Sequence, residues 1–291
     1  MLPPTVYLLN PPENLPAGLK SLESPDAEKV LASIGLTQEV IDRARSFASA
    51  KRVHEYLWGR TLLAAVVKNL SASSAISLAS RERPPLSPVL VAPDGTPAAA
   101  ASITHTAGTI AVMVSETPAA IDAEVINPGR VREALVDHVF GDGVHAMLQK
   151  RAADPVLSFY ALWGLHEAAV KLEGKFLLSL GKSGALAFSV QIKDKEVPSA
   201  RCCFARLLDQ TGKAGSDVLL TILDCDDRKE QQPDVALLRA RLAADNSGVN
   251  FFEPLASVTL EPLEALERLE TFNVPLRLLA PESLSDSCLS P

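Results

Sequence analysis

The sequence contains little of what marks several specialised classes of protein. Only four cysteines occur among its 291 residues, and neither CxxC nor metal-ligand spacing relates Cys202, Cys203, Cys225 and Cys288. We therefore predict reduced thiols and a cytoplasmic protein. The longest unbroken apolar run, residues 62–67, is far shorter than the roughly 18 residues of a membrane-spanning helix. The first residues lack the basic segment of a signal peptide, so we expect no membrane association.

Positive charge is also scarce. The chain has 28 Lys and Arg against 35 Asp and Glu, which gives a net charge of -7. Proteins that bind nucleic acid are usually basic, so we do not expect nucleic acid as a partner. Hydrophobic residues make up 47% and charged residues 22%, which is typical of a globular protein rather than a disordered or coiled-coil one. The length suggests two domains, or one large one.

Hydrophobic periodicity predicts alternating helices and strands. One helix has clear end signals, because Asp154 suits an N-cap, Pro155 suits the first helical position and Gly174 suits a helix stop. Loops are expected at 84–95 and 226–234. The predicted helices are 25–70, 131–139, 143–152, 155–173, 235–243 and 263–272, and the predicted strands are 6–9, 76–78, 110–114, 120–126, 185–190, 200–208 and 218–223.

Two acidic residues lie two apart in the predicted strand at 120–126. Side chains alternate along a strand, so Asp122 and Glu124 project from the same side, with Cα atoms roughly 6.5 Å apart. Carboxylates this close repel each other unless a cation lies between them, and Mg²⁺ prefers such oxygen ligands. The alternative is an edge strand with a wet acidic face.

The predicted helix at 155–173 carries a line of residues four apart. Phe159 and Trp163 begin this line, and it continues into Glu167 and Lys171. A carboxylate that extends a buried aromatic stripe lies at the boundary between core and cleft, where its environment can control its pKa. The alternative is an ordinary Glu–Lys pair on the helix surface.

Two further segments suggest phosphate binding. His105 lies among small hydroxyl residues at a predicted strand end, next to Thr104. Lys51 and Arg52, with Arg60, form a basic spot in an acidic chain, and such groups suit a phosphate. The alternatives are a histidine bonded to backbone and a solvated helix face.

The order and spacing of these segments resemble the 4′-phosphopantetheinyl transferase superfamily, in its longer, monomeric Sfp-type branch. The family motifs are GRxLLR, GKP, SxSHS, GIDIE and FxxxWxxKExxxKxxGKGL. Two departures are His166 and Thr96, which stand where those motifs have lysine. The matching segments are Trp58–Leu63, Gly95–Pro97, Ser102–Thr106, Ala120–Glu124 and Phe159–Leu177.

The resemblance implies an enzyme that transfers 4′-phosphopantetheine from coenzyme A to a serine of an apo acyl or peptidyl carrier protein. The reaction depends on Mg²⁺ and releases adenosine 3′,5′-bisphosphate. By resemblance, Asp122, Glu124 and Glu167 hold the Mg²⁺, and Glu167 is also the candidate general base. The implied ligands of coenzyme A are Lys171 and His105 for phosphate oxygens, Thr104 beside them, and Lys51 and Arg52 for the 3′-phosphate.

The resemblance also implies an α+β fold with two pseudo-symmetric halves, each a helix packed on an antiparallel sheet, and an active site in the cleft between them. The expected divisions are residues 1–117, residues 118–228 with the metal site, and a helical extension and tail at 229–291. A monomer is expected. Two other readings stay open: a non-catalytic descendant that binds coenzyme A or a carrier protein, and a Mg²⁺-dependent phosphoesterase that uses the same three carboxylates.

Overall fold

A computed structural model combines helices with sheets that are mostly antiparallel, so the chain is of the α+β class, as predicted. None of the described helices combines the length and the apolar character that crossing a membrane requires. The predicted helix at 263–272 and strand at 76–78 lie outside the described residues. Those residues are 5–9, 36–74, 79–83, 86–106, 108–151, 154–180, 186–192, 195–196, 199–208, 214–224, 234–242, 249–254, 259–262 and 277–278.

The helix that follows the sequence signals most closely is the one predicted at 155–173. The Asp154 carboxylate accepts a hydrogen bond from Leu157 N at 2.9 Å, so it caps the helix that begins at Pro155. This helix ends at Lys171, before Glu173 in the left-handed region. The helical pattern predicted at 25–70 lies outside the described residues up to residue 35, and beyond it two helices are separated between residues 45 and 50. Among the described residues the helices are α1 (Gln38–Arg45), α2 (Ala50–Ser74), α3 (Glu133–Phe140), α4 (Val144–Arg151) and α5 (Pro155–Lys171), with a 3-10 turn at Pro128–Arg130.

The strands in the described part of the chain form three sheets. Their bounds are β1 (Thr5–Leu9), β2 (Ala79–Arg83), β3 (Leu86–Val91), β4 (Pro97–Thr106), β5 (Thr109–Ser115), β6 (Ala119–Val125), β7 (Gly174–Leu180), β8 (Leu186–Ile192), β9 (Lys195–Glu196), β10 (Ser199–Leu208), β11 (Ala214–Asp224), β12 (Asp234–Leu242), β13 (Val249–Pro254), β14 (Thr259–Pro262) and β15 (Arg277–Leu278). The first sheet has the order β13-β12-β1-β5-β4-β3-β2, with β15 beside β12. The second has the order β14-β10-β11-β6, and the third is β7-β8-β9.

Two sequence predictions are wrong. The helix expected at 235–243 is the strand β12, which pairs in parallel with β1 so that Val235 lies opposite Val6. Pairing with a neighbouring strand outweighs local helix propensity there, and a short apolar run does not distinguish the two structures. The extension expected to be helical thus contributes strands to the first sheet. The loop expected at 84–95 contains β3, in which Pro88 lies at an irregularity of the pairing with β2, where no N–H is needed.

Helices and sheets stack in layers that place β6 in the interior. The long helix α2 packs Trp58 and Leu62 against Tyr7 and Ile110 on one face of the first sheet. The opposite face meets the second sheet across a core to which β1, β5, β6 and β11 contribute. Helix α5 covers the far side of the second sheet through Leu165 and its neighbours. The acidic strand, at the edge of the second sheet, therefore lies between the first sheet and α5.

A row of hydroxyl groups joins the two sheets. Ser102, Thr104 and Thr106 alternate along β4 and share one side of it, and each hydroxyl oxygen accepts a hydrogen bond from a backbone N–H of β6. The donors are the amides of Ile121, Ala123 and Val125, at 3.0, 3.2 and 3.2 Å. Strand β6 pairs with β11 along its other edge. The row thus supplies partners for amides that a sheet edge would leave unpaired.

Glycines let two helices approach the sheets closely. A Cβ atom added to Gly59 of α2 would lie 2.9 Å from Ile103 Cγ2 on β4. A Cβ atom added to Gly164 of α5 would lie 2.8 Å from Thr221 Cβ on β11. Both distances are shorter than van der Waals contact, so a larger residue would require either the helix or the neighbouring side chain to shift.

We expect Ser102→Ala to lower the free energy of unfolding by about 2 kcal/mol, because it leaves the buried Ile121 amide without a partner. Ser102 is fully buried, and its oxygen also accepts a hydrogen bond from the Ser87 hydroxyl at 3.2 Å. Thr106→Ala is the matched comparison. It should have a smaller effect, because Thr106 and Val125 are only half-buried and water can reach the released amide. Urea unfolding of both variants tests this order, and equal losses would contradict it.

Candidate functional site

His105 and Thr104, both predicted site residues, project from opposite sides of β4 and contact different elements. Thr104 belongs to the hydroxyl row and faces β6, whereas Ile103 packs with the α2 cluster. His105 follows the same alternation as Ile103 and reaches Glu55 of α2. The end of β4 therefore connects the long helix to the acidic strand.

Asp122 is the most deeply buried charged residue of this region, at 5% exposure. Its Oδ1 atom accepts hydrogen bonds from the Thr104 hydroxyl at 3.1 Å and from Lys171 Nζ at 3.0 Å. Lys171 Nζ also donates to the carbonyl oxygen of Ile121 at 2.8 Å, which ties α5 to β6. The other carboxylate oxygen, Oδ2, is buried and has no hydrogen-bond partner among the described residues. A bare buried carboxylate oxygen is costly and is well suited to bind a cation.

Glu124 lies one step along the same side of β6 and points toward the 3-10 turn. Its Oε2 atom forms an ion pair with Arg130 Nη1 at 3.2 Å, and the Arg130 guanidinium lies 4.8 Å from the centre of the Trp163 ring. Burial raises the pKa of Glu124 to about 7, and the charge of Asp122 adds to this rise. Arg130 and a hydrogen bond from Trp163 oppose it, and Glu167 raises it further.

His105 lies in a mixed group of charges. Its Nδ1 atom is 3.3 Å from Glu55 Oε2, while Glu55 Oε1 is 3.7 Å from Lys51 Nζ. Burial lowers the pKa of His105, and Glu55 opposes this by raising it. Lys171 and Arg52 lower the pKa further, and Asp122 raises it. The pKa of His105 therefore depends on charged groups of α2, β6 and α5.

The structure brings most of the predicted site residues into one region. Asp122 and Glu167 both raise the pKa of Glu124, and Asp122 and Lys171 also affect the pKa of His105. Arg52 stacks over Phe47 at 5.1 Å from its ring centre, and Lys51 is exposed beside Glu55. The electrostatic effects link segments that are far apart in the sequence, whereas the last two contacts lie within and just before α2.

Two matched positions lie elsewhere. Thr96 forms the turn before β4, and its amide donates to Asp94 Oδ1 at 2.9 Å. His105 lies at the other end of β4, so roughly 30 Å of strand, at about 3.3 Å per residue, separates Thr96 from it. His166 packs edge-on against Phe140 of α3, with ring centres 6.0 Å apart.

Glu55 and Trp163 make contacts with the predicted site residues or their partners that the sequence pattern did not predict. Glu55 follows Lys51 by four residues, so a helical ion pair was readable from the sequence. Its contact with His105 depends on how α2 crosses β4. The aromatic stripe predicted a buried Trp163, but the structure leaves this side chain half-buried, with the Arg130 guanidinium stacked over its ring.

The donor chemistry fits a hard divalent cation, because carboxylate oxygens are its preferred ligands and Asp122 Oδ2 lacks a partner. In the part of the chain that the structure describes, however, no three His, Cys, Asp or Glu side chains lie close enough to hold a metal ion. Glu124 is held by Arg130, and Asp122 Oδ1 by Lys171. These ion pairs occupy carboxylate oxygens that a metal site would use.

Comparison of the chain with protein-family models gives no match, and no curated protein matches it either.

Proposed function

We propose that this chain transfers the 4′-phosphopantetheine group from coenzyme A to a serine of an apo acyl or peptidyl carrier protein. The observation that carries this proposal is the buried Asp122, whose Oδ2 lacks a partner while its Oδ1 contacts Lys171. His105, Glu124 and Glu167 are electrostatically coupled to the same region. Three carboxylates beside a lysine and a histidine suit a cation and a bound pyrophosphate.

In this proposal Asp122, Glu124 and Glu167 would hold Mg²⁺ once the ion pairs with Lys171 and Arg130 open and the three carboxylates move together. The bound cation would neutralise charge on the pyrophosphate. Glu167 is the candidate general base for the carrier serine, because its carboxylate is half-buried and engaged in no ion pair among the described residues. Lys171 and His105 would bind phosphate oxygens, with Thr104 holding Asp122 in place. Lys51 and Arg52 would bind the 3′-phosphate from the surface of α2.

We further propose that the fold consists of two related halves with this site between them. Each half would pair a sheet with a helix that carries a Trp-Gly dipeptide, Trp58-Gly59 in α2 and Trp163-Gly164 in α5. In both helices the glycine meets a strand closely, which supports the comparison. The chain passes from the first sheet to the second in the turn between β5 and β6.

A non-catalytic protein that binds coenzyme A or a carrier protein is the second candidate. The supporting observation is that His166, at the position where the family motif has lysine, packs against Phe140. Such a protein would keep the phosphate-binding groups and lose transfer.

Intact-mass spectrometry of an apo carrier protein tests the proposal. Incubation with the chain, coenzyme A and Mg²⁺ should add the mass of phosphopantetheine to the carrier. The increase should vanish with EDTA and with Glu167→Ala, while Glu133→Ala, at an exposed position of α3, should retain it. No mass increase with fatty-acid, polyketide or peptide carriers would contradict transfer, and calorimetric binding of coenzyme A would then favour the second candidate.

A further inference from the structure

The Glu55 carboxylate is an unexpected neighbour for a phosphate-binding histidine. Its side chain is only 12% exposed, and it lies between the His105 ring and the exposed Lys51. A carboxylate beside a histidine that should bind phosphate weakens the attraction between the histidine and the phosphate. The position of Glu55 therefore suggests that it has another role. The Nδ1 atom of His105 faces the carboxylate at 3.3 Å, which leaves Nε2 as the nitrogen for other partners.

We propose that Glu55 is a positioning residue that holds the proton of His105 on Nδ1, so that phosphate binding at Nε2 requires His105 to take up a second proton. This inference rests on the proposed function only for the identity of the phosphate ligand. The ring nitrogen beside a carboxylate carries the proton, because only a protonated nitrogen is attracted to it. In the neutral ring Nε2 is then an acceptor, and it cannot bond to a phosphate oxygen.

Uptake of a second proton by His105 turns Nε2 from an acceptor into a donor, so that it can bond to a phosphate oxygen. With both nitrogens protonated, the imidazolium donates to Glu55 through Nδ1 and to the phosphate through Nε2. Charge-assisted hydrogen bonds of this kind are the stronger class. Because burial lowers the pKa of His105 in the free protein, the ring is mainly neutral above pH 7, and the proton must come from solvent.

Charged groups on three elements, α2, β6 and α5, surround His105. Helix α2 supplies Glu55 and Arg52, with Lys51 behind Glu55. Strand β6 supplies Asp122, and α5 supplies Lys171. The two cations that lower the pKa of His105 are candidate phosphate ligands. A bound phosphate would neutralise them and thereby favour the imidazolium.

The first test is the titration of His105 by NMR in the unliganded full chain. The protein has five histidines, so His105→Gln identifies the signal of this ring. Glu55→Gln should move the titration of His105 to lower pH, because it removes the charge that opposes burial. Glu39→Gln, at an exposed position of α1, should leave the titration unchanged. Circular dichroism checks that each variant is folded.

The second test is calorimetric titration with coenzyme A at pH 7.5 in buffers of different ionisation enthalpy. Wild-type protein should take up as much as about one proton more than Glu55→Gln does. In the variant, the amide of the new side chain can donate to Nδ1, so the neutral ring can offer Nε2–H to the phosphate. Any proton released by the ligand is common to both proteins and cancels in the difference.

Equal proton uptake by both proteins, or an unchanged titration of His105 in Glu55→Gln, would overturn this inference. Binding with the predicted difference but without transfer to any carrier would leave the inference intact and contradict only the proposed enzyme activity. No binding of coenzyme A by the wild-type chain would contradict both the proton uptake and the proposed function.

Discussion

Asp122→Asn is expected to lower the free energy of unfolding by about 3 kcal/mol and to reduce phosphopantetheine transfer to background. The first effect follows because Lys171 keeps a largely buried ammonium group whose anionic partner is gone. The second follows because a neutral amide lacks the negative charge with which a carboxylate neutralises a bound cation. Urea unfolding and the carrier mass assay measure the two effects separately.

The double variant Asp122→Asn/Lys171→Met separates stability from activity. Removing both partners leaves no unpaired buried charge, so most of the lost free energy of unfolding should return. Transfer should not return, because the proposed site needs Asp122 for the cation and Lys171 for the phosphate. Asp142→Asn, in the exposed turn before α4, is the control and should change neither quantity. A double variant as unstable as the sum of the single variants would show that the ion pair is not the source of the effect.

Gly164→Ala is expected to lower the free energy of unfolding by about 2 kcal/mol, although alanine is the better helix former by about 1 kcal/mol. The added methyl group would lie 2.8 Å from Thr221 Cβ and would also meet Thr221 Oγ1. Because Cβ is fixed to the strand backbone, α5 itself must move, and such overpacking costs about 3 kcal/mol.

Gly59→Ala provides the comparison for this prediction. Its methyl group would meet only Ile103 Cγ2 closely, at 2.9 Å, and that atom is the end of a side chain that can adjust. We expect this variant to be near neutral, since the gain in helix propensity offsets the adjustment. Thermal unfolding monitored by circular dichroism should rank the two variants, and a stabilised Gly164→Ala would contradict the close contact.

Local signals explain what the sequence predicted well. The cap formed by Asp154 and Pro155 set the start of α5, because an N-cap satisfies backbone amides within one turn. The alternation of Asp122 and Glu124 on one side of β6 follows from strand geometry and needs no tertiary information. Those signals were enough for the elements that carry the candidate site, whereas the α+β class was implied by the family resemblance.

Features that depend on distant pairing were not predictable in the same way. Strand β12 was mistaken for a helix, because its partner β1 lies more than two hundred residues earlier in the chain. The contact between Glu55 and His105 requires α2 to cross the end of β4, and no periodicity encodes that crossing. The ion pair between Glu124 and Arg130 likewise depends on the 3-10 turn after β6.

The hydroxyl row of β4 has a consequence for how this protein behaves at high concentration. An edge strand with free amides is a template for strands of other chains, and it promotes aggregation. Along β6 the amides of Ile121, Ala123 and Val125 already bond to side chains of β4. The protein therefore protects this edge with serine and threonine side chains rather than with another strand, so the acidic strand does not offer these amides for pairing with other chains.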